Sequence, residues 1–266
     1  MEYLDKYIPK EYLALKINYC RKRLAELPPA RIITANSHGI QTVKVKSGAH
    51  RFSLSSPSGK ELYDAAIERE ELIRDLAVYE AIWNRYYVSP PPQYVPPKIV
   101  RTLRTGDRGQ VVMDKQFFDS LKNDANTKYP KSNQYPFNGI LYRSAAEKEI
   151  ATFYTEMGIP FKYEPEIQFT GMTKPQYPDF VFYVKELDTC KIHEHYGLMS
   201  LSSYIRDLKI KCWTYTDSGL LLDHDVFFTY STEDQPLDVR YLAAKLNGVI
   251  YGTMLCSGEN TNDSSM

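Results

Sequence analysis

The chain lacks an apolar run long enough to cross a bilayer, a cysteine cluster and any net charge. Its longest apolar runs, such as Phe180-Val181-Phe182-Tyr183-Val184, reach about a quarter of the ~20 residues that a spanning helix needs. A transmembrane helix is therefore excluded. The cysteines, Cys20, Cys190, Cys212 and Cys256, stand far apart with no Cys-x-x-Cys. They read as reduced thiols of a cytosolic protein, neither a zinc site nor a disulfide frame. The opening MEYLDKYIPKEYL has charges where a signal peptide needs its apolar stretch, so export is not expected and the cytoplasm is the expected compartment. Basic and acidic residues number 33 each, which argues against a protein held to nucleic acid by bulk charge alone. What is present is ordinary globular material, 43% apolar and 25% charged over 266 residues. That length suits one large domain or two small ones.

The charge is unevenly placed. From Asp217 onward there are eight acids and only two bases, Arg240 and Lys245, so the last fifty residues sum to −6 and the rest to +6. A positive face on the larger part follows if the asymmetry is not accidental, and local charge is what phosphate binding needs.

Apolar spacing predicts a helix from about Pro9 to Leu27, stopped by Pro28-Pro29. Arg31–Ala35 and Ile40–Val45 flank a turn at Asn36–Gly39 and read as a hairpin. A polar loop, Ser47–Lys60, precedes a long amphipathic helix over about Glu61–Tyr87. Together 1–88 form an N-terminal α+β module without visible chemistry, suited equally to substrate binding or to homodimerisation. Ser89-Pro-Pro-Pro-Gln-Tyr-Val-Pro-Pro97 holds five prolines in nine residues and reads as a semi-rigid spacer. It opens a linker and variable segment, 89–140, with one short helix at Asp114–Lys122. From Leu141 the order expected is helix (143–157), three strands (159–170, 177–184, 190–196), helix (200–215), strand (226–230) and closing helix (237–250). This is an α+β domain over 141–256, a mixed sheet with helices packed on it. The polar tail 257–266 is expected to be disordered.

Two carboxylates interrupt the apolar strand runs, Asp179 in Tyr177-Pro-Asp-Phe-Val-Phe and Glu194 in Lys191-Ile-His-Glu-His-Tyr-Gly197. If the two strands form a hairpin with Val184 opposite Lys191, Asp179 falls opposite Tyr196 and Glu194 opposite Val181. Period-two alternation then sets both acids on one face as diagonal neighbours, their backbones about 7–8 Å apart. Like charges so close repel unless a cation or a proton lies between them. Magnesium suits hard oxygen ligands and substrate phosphate. An equally simple alternative is a pair of strand-edge salt-bridge formers. His193 and His195 flank Glu194 on the opposite face, where hydrogen bonding is a simpler role than zinc or copper binding. Glu164, in Tyr163-Glu-Pro, either reaches the same site or forms a salt bridge. The tyrosines, 22 in all, suit small cores, and those beside bases or prolines could also stack on unpaired bases.

The ordered set Arg143-Ser-Ala-Ala-Glu147, Tyr163-Glu164, Tyr177-Pro-Asp-Phe180, Glu194-His-Tyr-Gly197, Lys211-Cys-Trp-Thr-Tyr215 and Gly219 resembles the PD-(D/E)XK nuclease-like superfamily. The likeness spans about 141–250 and is greatest to phage- or Firmicutes-associated members with RSxxE, YPDF, EHxG and KxxxY motifs. It implies an αβββαβ restriction-endonuclease-like domain and a metal-dependent deoxyribonuclease acting with Mg2+ or Mn2+. It further implies that Glu147, Asp179, Glu194 and Lys211 are catalytic. The metal would be held by Asp179, Glu194 and the backbone carbonyl of His195. Where such proteins usually carry lysine, two residues after the glutamate, this chain has Tyr196. Lys211 on the following helix is the substitute expected, since it shares a face with Tyr215 whereas Lys209 is rotated by about 200°. The departure at Tyr196 leaves open a catalytically inactive nucleic-acid-binding or scaffold protein that kept the fold.

Overall fold

The computed structural model describes residues 2–37, 40–93, 100–106, 109–128, 130–131, 134–197, 202–232 and 234–255. The tail 257–266 and 94–97 of the proline-rich stretch lie outside the described residues. In chain order the elements are α1 (Glu2–Tyr7), α2 (Lys10–Glu26), β1 (Ala30–Ser37), β2 (Ile40–Ser47), β3 (His50–Ser53) and α3 (Pro57–Tyr86). There follow β4 (Thr102–Thr105), β5 (Gly109–Val112), α4 (Lys115–Ser120), β6 (Pro136–Phe137), β7 (Ile140–Leu141) and α5 (Ala145–Glu156). The chain closes with β8 (Phe161–Tyr163), β9 (Phe180–Val184), β10 (Thr189–Tyr196), α6 (Ser202–Asp217), β11 (Val226–Tyr230) and α7 (Val239–Leu255). It divides into two compact units, Leu13–Val95 and Met1–Tyr12 with Pro96–Met266.

In the Leu13–Val95 unit, β1, β2 and β3 form an antiparallel sheet. Much of the expected polar loop at Ser47–Lys60 is ordered as β3 and the first turn of α3. Ser56 caps that helix, its hydroxyl accepting from the Gly59 N–H at 3.1 Å, and Pro57 sits just inside the start. Ala66 of α3 packs on Ala30 and Val45 of the sheet, with Leu62 and Tyr63 beside them.

In the other unit the main sheet has the order β11-β10-β9-β8. Strands β8, β9 and β10 run antiparallel, whereas β11 joins β10 in parallel after the α6 crossover. The fold is mixed α+β, and from α5 to α7 the elements follow the order read from the sequence. One sheet face buries Val181, Tyr183, Ile192, Tyr196, Val226 and Phe228 against Tyr215 of α6. Leu103, Met113, Phe117, Phe118 and Leu121 join the same core. The segment expected to be variable thus supplies a hairpin and a helix to the interior. On the opposite face Tyr154 of α5 stacks on Phe182 at 5.1 Å and hydrogen-bonds His193, which in turn stacks on Phe227 at 4.3 Å.

The β9–β10 register differs from the one expected. Val184 lies opposite Thr189, not Lys191, because a tight turn over 185–188 closes the hairpin, with the Leu187 N–H donating to the Val184 carbonyl at 3.0 Å. Asp188 takes the left-handed conformation there, φ 46°. The slip is two residues, so no side chain changes face. It also leaves Asp179 and Glu194 one step beyond the last paired couple, Phe180 and His193. The acids are therefore directly opposite rather than diagonal.

Beside the start of β11, Asp225 is wholly buried against the equally buried Lys191 at 3.3 Å, with Arg101 and His224 also on its carboxylate. Burial alone would raise the Asp225 carboxyl. The hydrogen bonds from His224 and Arg101, with the Lys191 ammonium, instead hold it well below the usual carboxylate range. A depressed acid stabilises the fold above its unfolded pKa of about 3.9, and that contribution is lost as pH falls through the folded value. Asp225→Ala is expected to cost about 3–5 kcal/mol, since Lys191 loses the carboxylate it faces. It should also flatten the acid limb of a stability-against-pH curve measured by urea denaturation.

Candidate active site

Glu194 is wholly buried on the face of β10 that α6 covers. Its Oε2 accepts from Lys211 Nζ at 2.5 Å, and its Oε1 from the Tyr215 hydroxyl. Lys211 and Tyr215 are four residues apart on α6, so a single helix face delivers both donors. The Lys211 side chain is 32% exposed and its ammonium lies over the Tyr196 ring, 5.7 Å from the centroid. Lys209 is exposed and makes no such contact.

Asp179 sits where β9 begins, its Oδ2 accepting the backbone N–H of His195 at 2.7 Å. In an extended strand the N–H and C=O of one residue point to the same side, so the His195 carbonyl is directed toward Asp179 as well. Burial and then the Glu194 charge push the Asp179 carboxyl well above its ordinary range, against the opposing effect of Lys211. Burial would lower the Lys211 ammonium, but Glu194 and Asp179 together hold it above the ordinary lysine range. The three groups form one electrostatic unit.

Glu147 comes from the first turn of α5, on the other side of the sheet, yet its charge also raises Asp179. Its Oε2 accepts from the Tyr163 hydroxyl at 2.6 Å and the Arg143 N–H at 2.8 Å, while Ser144 Oγ accepts the Glu147 N–H at 3.1 Å. This is close to a capping box, and Ser144-x-x-Glu147 was the signal for it. Burial raises the Glu147 carboxyl, and the Tyr163 and Arg143 bonds offset only part of that rise. Glu164 takes the salt-bridge role, buried and paired with Arg143 at 2.8 Å. Its φ of 40° ends β8.

The two histidines are hydrogen-bonding core residues. His193 bonds Tyr154 and Thr229, and His195 bonds Thr229 and Ser231. Burial lowers both, His195 to about 4, so the rings are neutral at pH 7. Tyr163 and Tyr215, whose hydroxyls hold the two glutamates, had no partner assigned from sequence. The Lys-x-x-x-Tyr spacing that singles out Lys211 also brings in Tyr215.

Comparison of the chain with protein-family models, with curated proteins and with solved structures returned no match. Among the described residues no group of three or more His, Cys, Asp or Glu side chains is arranged to hold a metal ion. No helix among them is long and apolar enough to cross a membrane. The donor set is nevertheless chemically suited to a hard divalent cation. Asp179, Glu194 and the His195 carbonyl are oxygen donors, and each carboxylate oxygen keeps a lone pair beyond its present hydrogen bond. One ammonium faces three acids, which leaves negative charge to be balanced.

A carboxyl raised in the folded state stabilises the protein fully below its unfolded pKa, and that contribution is lost as pH rises through the folded value. Metal-free protein is therefore expected to be more stable at pH 5 than at pH 8, with Glu147 and Asp179 contributing in the same direction. Asp179→Asn should raise the melting temperature at pH 8 in EDTA by a few degrees and flatten this slope. Thermal unfolding of both proteins across that pH range checks it.

Proposed function

We propose that the protein is a metal-dependent deoxyribonuclease of the PD-(D/E)XK-like type, hydrolysing phosphodiester bonds of DNA. One observation carries the proposal: Asp179 and Glu194 lie directly opposite each other at one end of the sheet, with the Lys211 ammonium on Glu194. The order α5-β8-β9-β10-α6-β11 is compatible with the αβββαβ core that the motif resemblance implies.

Asp179, Glu194 and the His195 carbonyl would hold the Mg2+ or Mn2+. When bound, such an ion lowers the pKa of a coordinated water and neutralises charge on the attacked phosphate. The chain's own groups do the positioning. Tyr215 and Lys211 hold the two oxygens of Glu194, and the His195 N–H holds Asp179. Lys211, partly open to solvent, supplies a fixed positive charge for phosphate oxygens in the transition state. Glu147 is locked by Tyr163 and Arg143 and adds negative charge to the site.

Incubation with single-stranded, duplex and branched DNA and either metal tests the assignment. Wild type should cleave at least one substrate, and Asp179→Ala, Glu194→Ala and Lys211→Ala should each lose roughly 100- to 1,000-fold in rate. Equal cleavage by wild type and all three variants discards the assignment. A second reading, an inactive DNA-binding scaffold, is favoured by Tyr196 at the usual lysine position. In that case calorimetry detects no Mn2+ binding and DNA binds uncut.

A further inference from the structure

We propose that the outer face of α6 is a docking stripe for single-stranded DNA, with Trp213 as its stacking platform; this rests on the nuclease reading of the site beside it. Of the chain's two tryptophans, Trp83 is buried at 1% exposure, whereas Trp213 is 59% exposed and Ile210 50%. A large apolar ring held in water on a rigid helix gains nothing for the fold.

Arg206, Lys209, Ile210 and Trp213 follow the i, i+3, i+4, i+7 spacing that aligns side chains along one helix face, and all four are exposed. The inner face of the same helix, with Leu208, Cys212 and Tyr215, packs on the core. Neither Arg206 nor Lys209 forms an ion pair with another described residue. Two unpaired cations beside an exposed indole combine the groups a single strand requires, charge for its backbone and a π-face for its bases. Asp217 is the next residue along the stripe, and it confines the basic part to the N-terminal half.

The stripe also lies beside the site. Lys211 directly follows Ile210 and turns inward to Glu194, so stripe and site are separated by no more than the helix diameter, ~10–12 Å. A base stacked on Trp213 would keep neighbouring phosphates within reach of Lys211. A duplex, with its bases already stacked on one another, offers the indole no free π-face. The chemistry therefore favours unpaired over paired DNA.

The test is fluorescence anisotropy of a labelled oligothymidylate and a labelled duplex, in EDTA, with wild type and with Asp179→Ala. Trp213→Ala should weaken single-strand binding about 10-fold or more and change duplex binding less than about 2-fold. Trp213→Phe should keep most of the affinity, because a ring remains. The double variant Arg206→Ala/Lys209→Ala should reduce the slope of log affinity against log salt by about 1.4. An unchanged single-strand affinity in Trp213→Ala, or equal loss for both DNA forms, overturns the proposal. So does tighter binding of oligouridylate than of oligothymidylate, or a dimer that Trp213→Ala dissociates. Because binding is read without metal and in Asp179→Ala, a failed cleavage assay leaves this outcome separately legible.

Discussion

A wholly buried carboxylate is the constraint around which this site is organised. Glu194 lies in the middle of an apolar sheet, where an uncompensated charge would be prohibitive. The fold answers with two donors from one helix, Lys211 and Tyr215, one on each oxygen. That requirement ties α6 to β10 more specifically than apolar packing could, since only one rotation of the helix brings both groups to the glutamate. It also keeps a cation beside Asp179, which would otherwise face Glu194 with nothing between them.

The sheet supports the arrangement from both sides. Aromatic packing of Tyr154, Phe182, His193 and Phe227 covers one face, and the other carries the acids toward α6. The two histidines, neutral and hydrogen-bonded, fill the first face without competing for the ligand role. Acids thus gather at one end of the sheet while a second ionic group, Asp225 with Lys191 and Arg101, secures the β11 side. The two clusters have opposite character. Asp225 is held charged by its donors, whereas Asp179 is held in an environment that resists its charge. A strained acid of that kind is a common sign of a functional site.

Most of the elements were legible because their signals are local. The α2 periodicity, the β1–β2 turn and the helix ending at Gly158 all depend on neighbours within a few residues. The β4–β5 hairpin and the core role of Phe117 and Phe118 were not legible, because a short apolar stretch between polar runs has no periodicity to read. The first strand was overextended from sequence, since Glu164 adopts φ 40° against its own preference. The two-residue slip between β9 and β10 arose from turn geometry, and it escaped notice in the alternation pattern because an even slip preserves the face.

The sequence by itself determined the α+β class, the order of elements from α5 to α7, and the presence of Asp179 and Glu194 on one side of a sheet. Those follow from side-chain period and helix spacing, which a linear string carries in full. Only the tertiary structure decided that the acids stand directly opposite, that Tyr163 and Tyr215 hold the two glutamates, and that Glu164 belongs to Arg143. It also decided which tryptophan is buried and which is exposed. These outcomes depend on contacts between residues 16 to 40 or more positions apart, set by how elements pack rather than by what lies next to each in the chain.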